Sequence, residues 1–313
     1  MSADPVIRIG TRGSDLALWQ ADYVADRLKA AHPGLQVERT IFKTRGDRFL
    51  GQPLSELGGK GLFTHELEEA MIAGEIDIAV HSLKDMPTKL PEGLTLGAIP
   101  VRGDVRDVLI TRIGESPEAP PLVGTSSLRR ACMARRRWPE SEIVPIRGNV
   151  NTRVNRLIDP PPRRVDTVIL AMAGMLRLEF TEREDVEFMP LNPEHWIPAV
   201  AQGALAVEAR AGDAQILGML SAIHHADTAT CVTAERTFLA AVEGDCRIPV
   251  GAYATVDRGN IRLKAFVGAP DGSEMVVHTD MGTDPEALGA TVAQALLDAG
   301  GRGILQALKA TDH

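Results

Sequence analysis

Short apolar strands alternate with amphipathic helices along the first two thirds of this chain of 313 residues. Residues 6–9 form a strand pattern, and the segment after it spaces apolar side chains as one face of a helix does, namely Leu16, Trp19, Tyr23, Val24 and Leu28. Further strands are predicted at 35–42, 76–80 and 94–99, with a helix over 62–73. Such alternation is typical of α/β proteins with mainly parallel sheets, so we expect this class.

Two interruptions of the alternation predict two lobes joined by two crossings of the chain. Residues 100–104 have the composition of a first crossing, and residues 198–203 that of the return. We predict two α/β lobes with mixed, mainly parallel sheets around a hinged cleft, followed by a small C-terminal α+β domain in which strands precede helices. The predicted domains are residues 1–101 with 204–222, residues 102–203, and residues 223–313.

The same patterns predict the elements of the later regions. The expected strands lie at 107–110, 122–124, 142–146, 165–170, 204–209, 250–256, 261–268 and 275–278. The expected helices lie at 128–138, 149–158, 230–242, 285–298 and 303–310.

Polar side chains follow the apolar strand at 76–80. Ser82, Lys84 and Asp85 come directly after it, and Pro87 ends any long continuation. Ligands of open α/β sheets bind beyond the carboxyl ends of strands, so this position suits a functional carboxylate and lysine. A surface Lys-Asp pair in a loop is the alternative reading of the segment taken alone.

Composition narrows the class of protein. The formal net charge is −8, aromatic residues are 4% of the chain, and basic residues are not interleaved with aromatic ones, so nucleic-acid binding is not expected. No run of 18 apolar residues predicts a membrane span, and the first residues lack a basic-then-apolar leader, so we expect a cytoplasmic protein. Three cysteines without metal-type spacing predict free thiols and no metal site.

Arginine is concentrated in the middle of the chain. The chain has 27 Arg and 7 Lys, and the segment 102–183 holds 15 Arg against 10 Asp plus Glu. Guanidinium groups bind carboxylates and phosphates through two parallel hydrogen bonds, which lysine cannot form. The segment therefore indicates a polyanionic small molecule, with a compositional bias toward arginine as the alternative.

Two loops of similar pattern are candidates for anion binding. Residues 9–14 and residues 123–130 both run strand, Gly-Thr, polar loop and helix, and each contains arginine. Main-chain N–H groups and hydroxyls at a helix N-terminus attract anions, although ordinary helix capping gives the same pattern. A third candidate is the segment 147–153, which follows a strand and opens a helix with Arg147 and Arg153; a solvated helix face is its alternative.

Two further segments have unusual chemistry. The run Gly58-Gly59-Lys60-Gly61 lacks the residues that a nucleotide-binding P-loop requires, so we interpret it as a glycine-rich lid. Cys246 follows Glu243-Gly244-Asp245 just after a predicted helix, in a loop that projects it from the helix. A free cysteine is more often a small buried apolar residue, so its position alone does not assign it a function.

Five motifs in this order closely resemble the porphobilinogen deaminase family, over nearly the whole chain. They are His-Ser-Leu-Lys-Asp (81–85), Gly-Thr-Ser-Ser-Leu-Arg-Arg (124–130), Arg-Gly-Asn-Val-Asn-Thr-Arg (147–153), Pro-Ala-Val-Ala-Gln-Gly-Ala (198–204) and Glu-Gly-Asp-Cys (243–246). The resemblance implies three domains, of which the first two are similar to type II periplasmic binding proteins.

The resemblance also implies the reaction. Members carry a dipyrromethane cofactor that is bound to a cysteine by a thioether, and this cysteine corresponds to Cys246. Four porphobilinogen molecules, each with an acetate and a propionate, add head to tail to this primer with loss of ammonia, and hydrolysis releases a linear tetrapyrrole, hydroxymethylbilane. The family is usually monomeric.

Residue roles are carried over by motif. Asp85 is implied as the catalytic carboxylate, which bonds pyrrole N–H groups and stabilises developing positive charge. The implied cofactor- and substrate-binding residues are Arg12, Lys60, Ser82, Lys84, Thr125, Ser126, Ser127, Arg129, Arg130, Arg147, Gly148, Arg153, Arg177, Gln202 and Gly203.

Two positions depart from the family pattern, and one alternative function stays open. Asp245 stands before the cysteine, and Ala201 stands at the crossing, where many members have glycine. The alternative is a two-lobe binding protein for an anionic solute that shares the fold without the chemistry. It would leave Cys246 and the third domain without a role.

Overall fold

Three β-sheets organise the chain in the computed structural model, which describes residues 6–44, 46, 62–115, 118–242 and 248–311. Its contacts divide the chain into two units, Met1–Gly103 with Gly203–Ala229, and Asp104–Gln202 with Thr230–His313. The first unit contains one five-stranded sheet, and the second contains a five-stranded and a three-stranded sheet. The division into three domains stays a prediction.

The described strands are β1 (Val6–Arg12), β2 (Gln36–Phe42), β3 (Ile78–Ser82), β4 (Leu94–Ala98), β5 (Asp107–Arg112), β6 (Leu122–Gly124), β7 (Glu142–Val144), β8 (Thr167–Ala171), β9 (Val186–Pro190), β10 (Leu205–Arg210), β11 (Val250–Asp257), β12 (Asn260–Gly268) and β13 (Met275–Gly282). The described α-helices are α1 (Asp15–Ala31), α2 (His65–Ile72), α3 (Leu128–Arg137), α4 (Val150–Asn155), α5 (Met172–Arg177), α6 (Ala214–Leu220), α7 (Ala226–Ala241), α8 (Pro285–Leu296) and α9 (Arg302–Thr311). Within these residues, no helix is both long and apolar enough to cross a membrane.

The sheet of the first unit has the order β2-β1-β3-β10-β4. Strands β2 and β3 pair with β1 in parallel, whereas β10 is antiparallel to both of its neighbours. Helix α1 covers this sheet because Ala21, Val24 and Leu28 form a buried face against Ile7 and Ile9. The carboxyl ends of β1 and β3 therefore lie at the same edge of the sheet.

The larger sheet of the second unit repeats this topology with the order β7-β6-β8-β5-β9. Strands β7 and β8 pair with β6 in parallel, and β5 is antiparallel to β8 and β9. In each sheet the antiparallel strand is the one that follows a predicted crossing of the chain, which explains why the sheets are mixed. The expected α/β class with two similar lobes is confirmed.

The third sheet is an antiparallel meander of β11, β12 and β13, and helix α8 packs on it. The β11–β12 turn contains Arg258 and Gly259, both with positive φ, at 48° and 81°. Two consecutive residues of this kind match the right-handed twist of a hairpin, as in a type I′ turn. The predicted α+β character of the C-terminal region is confirmed.

Candidate active site

The end of β3 presents a lysine and a carboxylate to solvent. Strand β3 is buried, whereas Lys84 and Asp85 are exposed on the 3₁₀ turn Leu83–Asp85 that follows it. The turn is anchored by Leu83, whose side chain is buried and whose N–H donates to the carbonyl of Ala204 at 3.0 Å. An exposed carboxylate on a fixed turn is placed where a ligand can meet it.

Two further predicted residues lie at this edge of the first unit. Arg12 ends β1, the parallel neighbour of β3, and its guanidinium lies 4.3 Å from the centre of the Phe63 ring. Ser82 ends β3, and its hydroxyl accepts a hydrogen bond from Nε2 of the buried Gln20 at 2.8 Å. The structure therefore brings Arg12, Ser82, Lys84 and Asp85 to one edge of one sheet.

The hydroxyl-rich loop of the second unit is fixed by its own hydrogen bonds. Ser127 is the N-cap of α3, and its hydroxyl accepts from the N–H of Arg130 at 3.4 Å. The hydroxyl of Thr125 accepts from the N–H of Ser127 at 3.2 Å, and Ser126 donates to the carbonyl of Ile146 at 2.7 Å. The hydroxyl proton of Ser126 is therefore donated to the backbone, whereas the hydroxyl of Thr125 acts as the acceptor in its bond to Ser127.

The segment 147–153 occupies the same edge of its sheet, because it follows β7, the parallel neighbour of β6. Gly148 has φ of +105°, and a Cβ there would lie 2.8 Å from Cβ of Thr152, so glycine is required. Its carbonyl accepts from Nε of Arg153 at 2.8 Å. Nη1 of Arg147 is buried and has no hydrogen-bond partner.

Arg129 and Arg130 are buried, and both bind Asp107. Nη2 of Arg129 lies 2.7 Å from Oδ2 of Asp107, and Nη2 of Arg130 lies 2.7 Å from Oδ1. Burial alone would raise the pKa of Asp107, but the two arginines and the hydrogen bonds of Arg130 and Gln202 hold that pKa well below its ordinary value. The pKa of Arg129 is lowered, first by burial and then by the charge of Arg130.

The predicted return crossing is held by two buried carboxylates of the second unit. Nε2 of Gln202 donates to Oδ1 of Asp107 at 2.9 Å. The N–H of Ala201, a residue with φ of +58°, donates to Oε2 of Glu235 at 2.6 Å. Positive φ favours glycine, which is the residue that many relatives were expected to have here.

The remaining predicted residues are placed less fully. Gly203 belongs to the first unit, has φ of +87°, and accepts at its carbonyl from the N–H of Gly103 at 3.1 Å. Arg177 ends the short helix α5 and is half-buried. Lys60 and Cys246 lie outside the described residues, so their roles stay predictions.

Sequence reasoning missed Asp107 and its partner Trp196, whose Nε1 donates to Oδ2 of Asp107 at 2.8 Å. Asp107 could have been recognised as a carboxylate at the start of the apolar strand β5, because a charge that is buried there requires partners.

Arg135 and Arg136 of α3 bind backbone carbonyls of Pro270 and Gly272. Within the described ranges, no three His, Cys, Asp or Glu side chains are grouped as a metal site would require.

Comparison with known proteins identifies the family. Residues 7–218 match the family model described as porphobilinogen deaminase, dipyromethane cofactor binding domain, and residues 229–298 match that of the C-terminal domain. The chain is 46% identical over 302 residues to porphobilinogen deaminase of Brevibacillus brevis. The matched residues cover 95% of this chain and 96% of that relative.

Solved structures are similar at lower identity. The BenM effector binding domain with its effector benzoate has a TM-score of 0.43 at 13% identity, covering 71% of this chain and 91% of that chain. YhfZ from Shigella flexneri has a TM-score of 0.36 at 18% identity, covering 77% of this chain and 98% of that chain. On the two family models and the Brevibacillus relative, the chain belongs to the porphobilinogen deaminase family of enzymes.

Proposed function

We propose that this enzyme joins four porphobilinogen molecules head to tail on a dipyrromethane primer, with Asp85 as the catalytic carboxylate and Cys246 as the point of attachment. The observation that carries the residue assignment is the exposed position of Asp85 at the end of the buried strand β3, beside Arg12 and Ser82. Family membership supports the reaction itself.

The donor set of the second unit fits a cofactor that bears carboxylates. Nη1 of Arg147 and Nε of Arg129 are buried without hydrogen-bond partners. An unpaired buried N–H group costs on the order of 1–3 kcal/mol, so an anionic oxygen at such a position would be favourable. Arg147, Arg153 and the loop hydroxyls of Thr125 and Ser127 would hold the acetates and propionates. When bound, the dipyrromethane supplies the pyrrole carbon that forms the first new bond.

Asp85 supplies a fixed negative charge for the substrate ring. When the C–N bond of the protonated aminomethyl group breaks, the electron pair leaves with nitrogen as ammonia, and the positive charge passes to the pyrrole. A carboxylate about 4 Å away at an effective dielectric constant near 20 interacts with such a charge by roughly 4 kcal/mol. Asp85 also accepts from the pyrrole N–H, which orients the ring. Arg12 and Lys84 would bind the substrate carboxylates beside it.

Mass spectrometry of the intact protein tests the attachment. We expect the purified chain to carry a covalent dipyrrole adduct, Cys246→Ala to carry none, and Cys231→Ala to keep it. Cys231 is a suitable control because it is a buried cysteine of α7 that forms no disulfide. A wild-type mass equal to that of the bare polypeptide would contradict the proposed function, and an adduct on Cys246→Ala would contradict the attachment site.

We further propose an oligomeric state and a cellular location for the enzyme. A monomer in the cytoplasm that does not bind nucleic acid accords with the net charge of −8 and with the low aromatic content. Light scattering of the loaded enzyme should then give a mass near 33.7 kDa. A mass twice as large would contradict the monomer.

A further inference from the structure

The carboxylate of Asp107 is surrounded by donors from three parts of the second unit. It lies at the first position of β5 and is fully buried. Its oxygens accept from Arg129 and Arg130 of α3, from Nε1 of Trp196 at 2.8 Å, and from Nε2 of Gln202 at 2.9 Å. A carboxylate has about four lone-pair positions, so Asp107 has none left for a ligand.

The charge of this group is not balanced. Arg129 and Arg130 contribute two positive charges, and Asp107 contributes one negative charge, so the buried group has one positive charge in excess. One arginine would have balanced the charge of Asp107. A second buried arginine is unfavourable unless another anion completes the group, because a buried charge without a partner is costly.

The two arginines differ in how far their donors are satisfied. Arg130 uses Nε and Nη2 on Asp107, and its Nη1 donates to the carbonyl of Ile169 at 3.0 Å. Arg129 uses Nη2 on Asp107 and Nη1 on the carbonyl of Ile197, while its Nε is buried without a partner. The unmet donor therefore lies on Arg129, and Arg130 is fully engaged by the protein.

We propose that Asp107 is a positioning residue: it holds the two guanidinium groups against the segment 196–202, so that Arg129 offers the excess positive charge to one carboxylate of the cofactor or substrate. This inference rests on the proposed function. Trp196 and Gln202 act through Asp107, because their donors fix the direction of its two oxygens.

The substitution Asp107→Asn tests this role. The amide would place N–H donors against the guanidinium donors and leave both arginine charges unbalanced. In the loaded enzyme we expect KM for porphobilinogen to rise about tenfold or more while kcat stays within about threefold, and the fraction carrying the dipyrrole adduct to fall. The split between KM and kcat is a readout that a purely structural role would not produce.

Asp77→Asn is the matched control. Asp77 is also a buried carboxylate between two arginines, Arg8 and Arg210, but it precedes β3, at the end opposite to Asp85. We expect it to lower the melting temperature and leave adduct fraction and KM unchanged. An unchanged KM and adduct fraction in Asp107→Asn would overturn the proposal, as would equal losses in both variants.

Trp196→Phe supplies the test if Asp107→Asn does not fold. It removes one donor to Asp107 and keeps the buried ring, so KM should rise about twofold to fivefold at constant kcat; an unchanged KM would overturn the proposal. Failure of the proposed function is distinguishable, because wild-type protein would then carry no adduct. An adduct in wild type with full loading and wild-type KM in the variants would contradict the inference about Asp107 alone.

Discussion

Nη2 of Arg130 lies 2.7 Å from Oδ1 of Asp107, and both side chains are buried. This contact ties the first turn of α3 to the start of β5 and so fixes the loop 124–127 that precedes the helix. The segment 124–130 has the pattern of an anion site, yet Arg130, one of its two arginines, binds the protein itself. Burial gives the cluster a rigid geometry, since desolvated ion pairs with several hydrogen bonds have few alternative arrangements.

Asp85→Asn should remove most of the turnover and leave the fold intact. Asp85 is exposed, so the change removes a charge without disturbing the core. Loss of a group that stabilises transition-state charge typically costs on the order of 10²–10³ in rate, so kcat should fall by at least this factor at similar KM. Steady-state kinetics of adduct-bearing protein measure this. Glu92→Gln, another exposed carboxylate of the same unit, is the control. A kcat within about tenfold of wild type would assign the charge stabilisation elsewhere.

Much of the fold was predictable because it follows from local patterns. The strands at the start and middle of each lobe were predicted within a few residues, since apolar alternation and glycine or proline boundaries mark them. Strand β9 (Val186–Pro190) was missed, because Glu187 and Pro190 interrupt its pattern. The crossings at 100–104 and 198–203 were predicted, but the antiparallel direction of β5 and β10 was not, because no local pattern specifies the direction of a strand in its sheet.

Site residues were predictable only where packing of the fold does not require them. Lys84 and Asp85 are such a case, because a charged pair after the end of a buried strand could be recognised from the sequence. The burial of Arg129 and Arg130 could not, because their partner Asp107 lies about twenty positions away and is brought to them by sheet pairing. Spacing along the chain therefore identified the arginines without separating those that meet a ligand from those that bind the protein.

Gly148→Ala should weaken substrate binding as well as lower the stability of the protein. Its φ of +105° disfavours any side chain, and a Cβ would meet Thr152 at 2.8 Å, which must displace the segment that carries Arg147 and Arg153. Residues held in such regions cost on the order of 1–3 kcal/mol. We expect a lower melting temperature together with a KM raised about tenfold.

Gly259→Ala is the matched control for this effect. It has φ of +81° in the β11–β12 hairpin, and a Cβ there would meet no atom within 4 Å. It should lower stability through backbone strain and leave KM unchanged. A KM that rises equally in both variants would show that general loss of stability, and not displacement of the arginines, causes the change.

Arg147→Lys should reduce affinity although it keeps the charge. Lysine cannot form the two parallel hydrogen bonds of a guanidinium, and hydrogen bonds to charged groups contribute about 1.5–3 kcal/mol. We expect KM to rise roughly tenfold to a hundredfold, with a smaller change in kcat. Arg163→Lys, in an exposed turn, should have wild-type kinetics. Wild-type KM in Arg147→Lys would show that the unpartnered Nη1 does not face a ligand.

Glu68→Gln should stabilise the enzyme above neutral pH. Glu68 lies in α2, is 5% exposed, and has a buried Oε1 without a partner. Its pKa is raised, first by burial and further by the carboxylate of Glu208, against lowering contributions from Thr64 and His81. Glu208 is itself buried and lies 3.2 Å from Nε2 of His81. At alkaline pH the ionised Glu68 is therefore unfavourable in the folded state.

The sign of the pH dependence follows from this shift. A carboxyl whose pKa is higher in the folded than in the unfolded state loses stability as pH rises from the unfolded value, about 4.3, through the folded value. Glutamine imitates the neutral acid, so the gain in melting temperature of Glu68→Gln over wild type should be largest near pH 8 and vanish below about pH 4. Calorimetry across this range measures it, with the exposed Glu69→Gln as a control that should show little change. A variant that is less stable than wild type at pH 8 would mean that the ionised carboxylate has a compensating cationic partner.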